Sequence, residues 1–478
     1  MGRTLALAAV FLAACASTPP QAPSRAALEP IAWPGDSAAT ELAVLNRVSW
    51  GANRSSYADI ARVGTGAWLD AQLRPAATAL PPDAQAAIDK MTISQRPIGD
   101  IVAEIDEQRR AFRNASAEDR KAERQAYQQE LTRLAREAQT RMLLRALYSP
   151  NQLQEEMTWF WMNHFSVFQQ KGPIRALVGD YEERAIRPHA LGRFRDLLGA
   201  SARHPAMLVF LDNARNSAGR LNENYARELM ELHTLGVDGG YTQRDVEALA
   251  QVLTGWSLNF AGGEPSRFYP RRHDNRDKEL LGSTIRGNGA QELDHALDLL
   301  ARHASTARFV SRKLTMFFVR DDPPMELVSA MARTFSATDG DIAQVLRTMF
   351  ASPAFRASLG TKFKDPLQYT LSALRLALDQ RPLPDALPVL GALARMGEPL
   401  YARATPDGYP LTRTDWASPG QLATRFEIAR GIAYRVPMRL PLELAPPLGD
   451  ATRDTLAKAS SPQEWNLLLL SSPEFMHR

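Results

Sequence analysis

The chain has 478 residues, with 57 Lys and Arg against 53 Asp and Glu, a formal net charge of +4 and a single cysteine. That length is enough for a large core or for two or three domains of about 100 to 200 residues each. The charge balance, with no block of five like charges, argues against a dedicated nucleic-acid binder. The lone thiol excludes a disulfide scaffold, an iron–sulfur cluster and a Cys-type zinc site.

In chain order, the apolar run Thr4 to Ala14 behind Arg3 is too short to span a bilayer and has the make-up of an export signal. Its end, Leu12-Ala13-Ala14-Cys15, resembles the bacterial lipoprotein box, which implies cleavage before Cys15 and lipid attachment at its thiol. Residues 1–14 are thus expected to be a signal peptide and 15–39, rich in Pro, Ser and Ala, a tether. Residues 40–478 are expected to form one large helical domain, with a subdivision point near 380–420. Ala16 and Ser17 lack the Asp that resembles an inner-membrane retention signal, so the expected address is the outer membrane, facing the periplasm.

From Thr40 the apolar spacing predicts two short helices around a break at Gly51-Ala52. Glu118 to Tyr148 contains no Pro or Gly, and Tyr127, Leu131, Leu134, Ala138 and Met142 recur at three to four residues, which predicts a long amphipathic helix with a solvated outer face. Thr242 with Asp245 reads as a capping-box start for the stripe Val246, Leu249, Ala250, Leu253 and Trp256, and Gly236 as the stop of the helix before it. Ser305 reads as the cap of a helix through Phe318. Gln380 to Gly420 carries seven prolines and predicts a long irregular connection, followed by a helix from Pro419 through Ala433 and a second Pro-rich stretch to Pro447. Alternating strand runs are scarce, so the expected fold is mainly α: a large irregular multi-helix bundle with long Pro-rich connections and little β.

Seven of the eight histidines lie between His164 and His303. His164 sits in Trp159-Phe160-Trp161-Met162-Asn163-His164-Phe165, apolar on every side of a helix, so it is either a neutral core histidine or a ligand or base in a dry pocket. In Leu221 to Gly236, the most polar helical stretch, Glu223, Arg227 and Glu231 form an i, i+4 ladder with Asn224 and Glu228 beside it, while Asn222 and His233 fall on the apolar side. Such a ladder is either a solvated face or the lining of a polar cleft. His273-Asp274 and Lys278 lie in a polar loop whose side chains are free to meet a ligand. Asp212-Asn213 through Asn216, with Asn222 to Asn224, offers oxygen ligands suited to calcium but no standard loop spacing. No metal motif, serine elbow or phosphate-binding loop is present.

The block Asn222-Glu223-Asn224-Tyr225-Ala226-Arg227-Glu228-Leu229-Met230-Glu231-Leu232-His233-Thr234-Leu235-Gly236-Val237, with Gly240-Tyr241-Thr242-Gln243 and Leu253-Thr254-Gly255-Trp256 after it, resembles the bacterial family catalogued as domain of unknown function 1800. So do Leu45-Asn46-Arg47 with Trp50-Gly51, Trp161 with Asn163-His164-Phe165, His204-Pro205 through Asp212-Asn213, His273-Asp274 with Lys278, Gly408-Tyr409-Pro410, and Leu470 through Phe475. The resemblance implies a large, mainly helical, exported protein without an agreed activity, often encoded beside an exported sulfatase-like family that becomes a candidate partner.

Two functions follow as expectations. The first is a lipoprotein, held at the membrane through Cys15, that binds an envelope partner or polymer without turnover. The second is a metal-assisted envelope hydrolase or oxidoreductase built on His164, Glu228, Glu231, His233, His273 and Asp274, with a divalent metal as cofactor and Arg227 or Lys278 holding an anionic group.

Overall fold

The computed structural model describes residues 31–260 and 262–478; Cys15, the signal segment and most of the tether lie outside the described residues. Helices make up most of what is described, and the only paired strands among these residues are two antiparallel hairpins, Trp256–Leu258 with Ser266–Phe268 and Lys278–Leu280 with Ser283–Ile285. No helix among the described residues is long and apolar enough to cross a membrane.

Local chemistry sets most helix starts. Ser37 accepts from the Thr40 amide at the head of Ala38–Val48, and Asn53 with Ser56 closes a capping box at the head of Arg54–Val63. Pro205, Pro353, Pro366, Pro419 and Pro462 each occupy a first helical position, where the missing N–H costs nothing. The long helix runs Arg120–Tyr148 and buries Tyr127, Leu131, Leu134, Ala138 and Met142 against Ile98–Asn114 and Ile174–Asp180. Its outer face carries the expected intrahelical pairs, Arg133 to Glu130 and to Glu137, each at 2.6 Å.

Three expectations need correction. Ser305 is not a cap: its amide donates to His303 Nδ1, which caps Ala304–Phe318 from one residue earlier. His204 caps Pro205–Phe210 in the same way, through the amide of Ala206. The proline-dense connection contains two short helices, Leu387–Arg395 and Arg413–Trp416: Pro388 sits in the first turn of one, where proline is tolerated, and the other falls between Pro410 and Pro419. The polar helix is shorter than its pattern, Asn224–Glu231 instead of Leu221 to Gly236.

Beneath the helices lies a core threaded with cations. Arg47 is fully buried and donates to Phe318 O at 2.7 Å, Ser358 Oγ at 2.7 Å and Arg478 O at 2.6 Å, joining the first described helix to three distant parts of the chain. Arg478 in turn bonds Glu156 at 3.1 Å. Arg375 donates to Gly51 O at 2.7 Å and Leu147 O at 2.5 Å. Gly51 itself has φ +112°, and a Cβ there would sit 2.6 Å from the Ser372 Cβ, so the approach requires glycine. These charges are bonded chiefly to carbonyl oxygens, which are the remaining acceptors of helix ends and turns.

Candidate functional site

The segment expected to be one continuous polar helix is broken at both ends by its own polar groups. Asn222 Oδ1 accepts from the Asn224 amide at 3.0 Å, while the Asn222 amide donates to Asn216 Oδ1 at 3.0 Å, so Asn222 precedes the helix. After Glu231 the turn widens: His233 N donates to Glu228 O, Leu235 N to Met230 O, and the Thr234 hydroxyl to Leu229 O, all five residues back. Such π-type turns recur at functional sites. His233 lies fully inside, 1 % exposed, on the apolar side where the helical spacing puts it.

On the outer side Glu223 accepts from Arg227 at 3.2 Å and from Gln243 at 2.8 Å, and Arg227 also reaches Gln243 at 2.8 Å. Glu231 is a distant partner of Arg227, at 3.9 Å. The ladder is thus real but partly exposed, closed by Gln243 from the next helix. Glu228 forms no side-chain hydrogen bond or ion pair among the described residues. Burial, followed by the Glu231 and Asp407 carboxylates, pushes its pKa up, with Arg227 opposing.

Of the ten polar candidates, five fall into two buried clusters, and the other five, Asn222, Glu223, Arg227, Glu228 and Glu231, belong to the polar helix and its start. His273, Lys278 and Asp274 belong to the first, together with Glu292, which sequence reasoning missed. His273 Nε2 lies 2.8 Å from Glu292 Oε1, and Lys278 Nζ lies 2.5 Å from Glu292 Oε2, with all three side chains sealed from solvent. His273 Nδ1 is engaged by Thr254 O at 2.8 Å and Thr254 Oγ1 at 3.1 Å, and the Gly289 amide adds a bond to Glu292 at 3.0 Å. Lys278 also donates to Asp274 O. Asp274 faces the other way, where Arg276 holds its carboxyl down at about 2. Every polar group in this cluster is used, which makes it a lock on the 254–292 segment.

The second cluster is not closed. His164 Nε2 lies 3.0 Å from the His233 carbonyl oxygen, which only accepts, so Nε2 carries the proton and Nδ1 presents a lone pair. That Nδ1 and both ring nitrogens of His233 are buried without a hydrogen-bond partner among the described residues. Burial and the nearby Lys313 keep both imidazoles neutral, His164 well below its ordinary pKa and His233 down at about 3. Phe165 and Phe309 pack around them, with ring centroids 5.1 Å from His233 and 6.1 Å from His164 respectively. Lys313, one helical turn beyond Phe309, places its ammonium 5.6 Å from that ring and has no hydrogen bond or ion pair among the described residues. Burial pushes it down to about 8, with Asp407 opposing.

Loop 401–409 forms the rim. Asn163, beside His164, accepts from the Tyr409 amide at 2.6 Å and donates to Tyr409 O at 3.0 Å, which sews the loop to the end of the Gln152–His164 helix. Gly408 has φ +78°, and a Cβ there would meet Asn163 O at 2.2 Å, so only glycine allows this contact. Asp407 is held by Arg403 at 2.7 Å. On the opposite side, burial and contact with Glu231 raise the Tyr241 hydroxyl above its ordinary range. Three segments far apart in sequence are thus joined in pairs, His164 to His233 and Asn163 to Tyr409, with Lys313 beside Phe309 and within electrostatic reach of both imidazoles and of Asp407. Lys313, Asp407 and Tyr241 carried no sequence signal beyond Gly240-Tyr241 and Gly408-Tyr409 in the resemblance.

The six residues expected to share a metal or reaction centre are divided between these clusters and the polar helix, and His273 has both ring nitrogens occupied. Among the described residues no group of three or more His, Asp or Glu side chains is placed to hold a metal ion. The oxygen-rich 212–224 stretch is likewise committed, since Asn213 Nδ2 donates to Leu253 O and Trp256 O, and Asn216 Nδ2 to Ala250 O. No curated protein and no solved structure matches the chain. The family described as protein of unknown function (DUF1800) matches residues 43–477, which takes in both histidine clusters, the loop that sews them and the cationic core beneath, and the chain belongs to that family.

Proposed function

We propose that this protein is an exported lipoprotein, anchored through Cys15 in the outer membrane on its periplasmic side, that binds an envelope partner or polymer at the Glu228–His233–Lys313 site without turning it over. The lipoprotein-like box supports the address, and the exported sulfatase-like neighbour of the family is the protein partner it suggests. One observation carries the binding reading: the Lys313 ammonium, half-buried, the Glu228 carboxylate, half-buried, and the His233 imidazole, buried, have no hydrogen-bond partner among the described residues, and the latter two share one segment. A buried polar group left unpaired costs about 1–3 kcal/mol, a penalty that a ligand removes on binding. The hydrolase or oxidoreductase reading is weaker, because it needs His273 and Asp274, and these are committed to the closed cluster.

Capture from envelope extracts on tagged full-length protein tests the proposal, with a Glu228→Ala, Lys313→Met double variant alongside. Selective retention of a protein or glycan by the unaltered chain and its loss in the variant is the expected result. Retention no greater than that of a tag-only control would sink it.

A further inference from the structure

Exposed apolar side chains are concentrated in one stretch of the chain. Of the ten large ones left exposed among the described residues, five, Leu422, Phe426, Tyr434, Met438 and Leu442, fall between Pro419 and Leu444, where an even spread would put fewer than one. In helix Pro419–Ala433, Ile428 and Ala429 face the core, while Leu422 and Phe426, one turn apart, face out. Beyond it Pro437 and Pro441 prevent the helix from continuing. Val436, Leu440 and Leu444 take the inward positions of this strap, which leaves Met438 and Leu442 outward, 74 % and 54 % exposed. Apolar surface grouped in this way marks an interaction face.

The same strap, from Val436 to Pro441, walls a surface groove of about 550 Å³ whose other side is the end of helix Pro366–Leu378 and the turn after it. Arg54, Arg381 and Arg439 line this groove with a single carboxylate, Asp379, which is turned to the amide and hydroxyl of Ser55 at 3.2 and 2.9 Å. Arg54 lies 3.6 Å from Glu443, and Arg381 rests on the carbonyl oxygens of Ala377 and Leu378. Arg439 stands 5.7 Å from the Trp465 ring and has no acidic partner among the described residues. Neither has Arg435, whereas Arg430 is paired with Glu427 at 2.5 Å. Four guanidinium groups, those of Arg54, Arg381, Arg435 and Arg439, thus stand against the two carboxylates of Asp379 and Glu443, beside exposed apolar side chains.

We infer that the strap 434–444 and its groove dock on an anionic bilayer surface, the arginines on lipid phosphates and Tyr434, Met438 and Leu442 in the interfacial layer. This goes beyond the ligand-binding reading above and shares only its membrane address. An acidic peptide in the groove would use the arginines and leave Tyr434 and Leu442 in water, whereas headgroup phosphates and the acyl boundary beneath them take up both. The described chain begins at Ile31, whose amide is fixed to Asp70 at 2.9 Å, and Cys15 to Ile31 spans at most about 55 Å, so a lipidated Cys15 keeps the body within reach of the bilayer. Docking gives the body one orientation on that surface.

Vesicle binding by the full-length chain carrying Cys15→Ser, in which no acyl chain contributes, tests the inference. Vesicles rich in phosphatidylglycerol should bind it, and neutral phosphatidylcholine vesicles about tenfold or more weakly. Arg381→Gln, Arg435→Gln and Arg439→Gln together should weaken the first about a hundredfold, at about fivefold per arginine. A polarity-sensitive dye attached through Met438→Cys, the only thiol in that chain, should shift to the blue on the vesicles; the same dye attached through Met325→Cys, 64 % exposed on another helix, should not. A thermal melt establishes that each variant is folded. Equal binding to both kinds of vesicle, binding indifferent to the arginine substitutions, or a dye that shifts at both positions or at neither would overturn the assignment. So would a shift at position 438 produced by tetraglutamate, or by raising the protein concentration alone, which would give the face to an acidic protein or to a second copy. The mass of the N-terminal peptide of the exported chain tests the address separately: an unlipidated Cys15 removes the lipoprotein reading, while the vesicle result still decides the strap.

Discussion

The His273–Glu292–Lys278 cluster and the His164–His233–Lys313 cluster draw on the same side-chain types within one helical body, yet they differ in how their valences are filled. In the first, each ring nitrogen of His273 has an oxygen partner and Lys278 donates to a carboxylate and a carbonyl, all sealed from solvent. In the second, three imidazole nitrogens and one ammonium have no hydrogen-bond partner among the described residues. A filled network of this kind holds a fold together, while an unfilled one carries a standing cost that folding alone does not recover. Composition alone does not distinguish them.

The most severe way to break the comparison is Glu292→Ala, which strands Lys278 and His273 in the interior. It should cost about 3–5 kcal/mol in chemical denaturation, the penalty of an uncompensated buried charge. A loss below about 1 kcal/mol would mean that the cluster is not the lock described.

A third buried group tests the idea through pH. Glu182, in the π-helical turn Tyr181–Ile186, is hydrogen-bonded by Tyr401, and burial pushes its pKa from 4.5 up to about 7. The folded form therefore keeps a proton that the unfolded chain releases above 4.5. Stability from this group is full below pH 4.5 and is lost as pH rises through about 7, a change on the order of 1–3 kcal/mol. Glu156, raised to about 7 by burial against the opposing Arg478, adds a contribution of the same sign. Denaturation midpoints across this range should fall with pH, and Glu182→Gln should flatten the slope without abolishing it.

Smaller effects sharpen the contrast. Thr242 caps Gln243–Val252, the helix that leads from Tyr241 at the open site to Thr254 at the closed one, through a capping box with Asp245. Thr242→Ala should cost about 1 kcal/mol in denaturant unfolding. Lys313→Met should leave the unfolding free energy unchanged or raise it by up to about 1–3 kcal/mol, since the ammonium breaks no bond when it leaves and takes its unpaired cost with it. A large loss there would show that the open site is a structural network after all.

Much of the fold was legible because its signals are local. The Thr242–Asp245 box, the Pro419 start and the Tyr127-to-Met142 stripe each act within a turn or two of backbone, and each stands where its pattern put it. The misplaced helix ends have local causes of a kind that propensity ranks poorly: His303 and His204 cap through a ring nitrogen, and Asn222 spends its side chain on the Asn224 amide. Of the site, His164, Glu228 and His233 were visible in the sequence as unusual polar residues in apolar or ladder settings. Glu292, Lys313 and Asp407 were not, since each looks like an ordinary helix or loop charge until its distant neighbours are known.

The sequence by itself determined a mainly helical chain, its family and the residue types available for chemistry, because periodicity, caps and long ordered motifs are properties of neighbouring positions. Only the tertiary structure decided which polar residues are used up and which remain open. Partnering depends on segments far apart in the chain, such as Asn163 with Tyr409 and Arg47 with Ser358 and Arg478. No pattern of spacing encodes which carbonyl or carboxylate will be within about 3 Å once those segments meet.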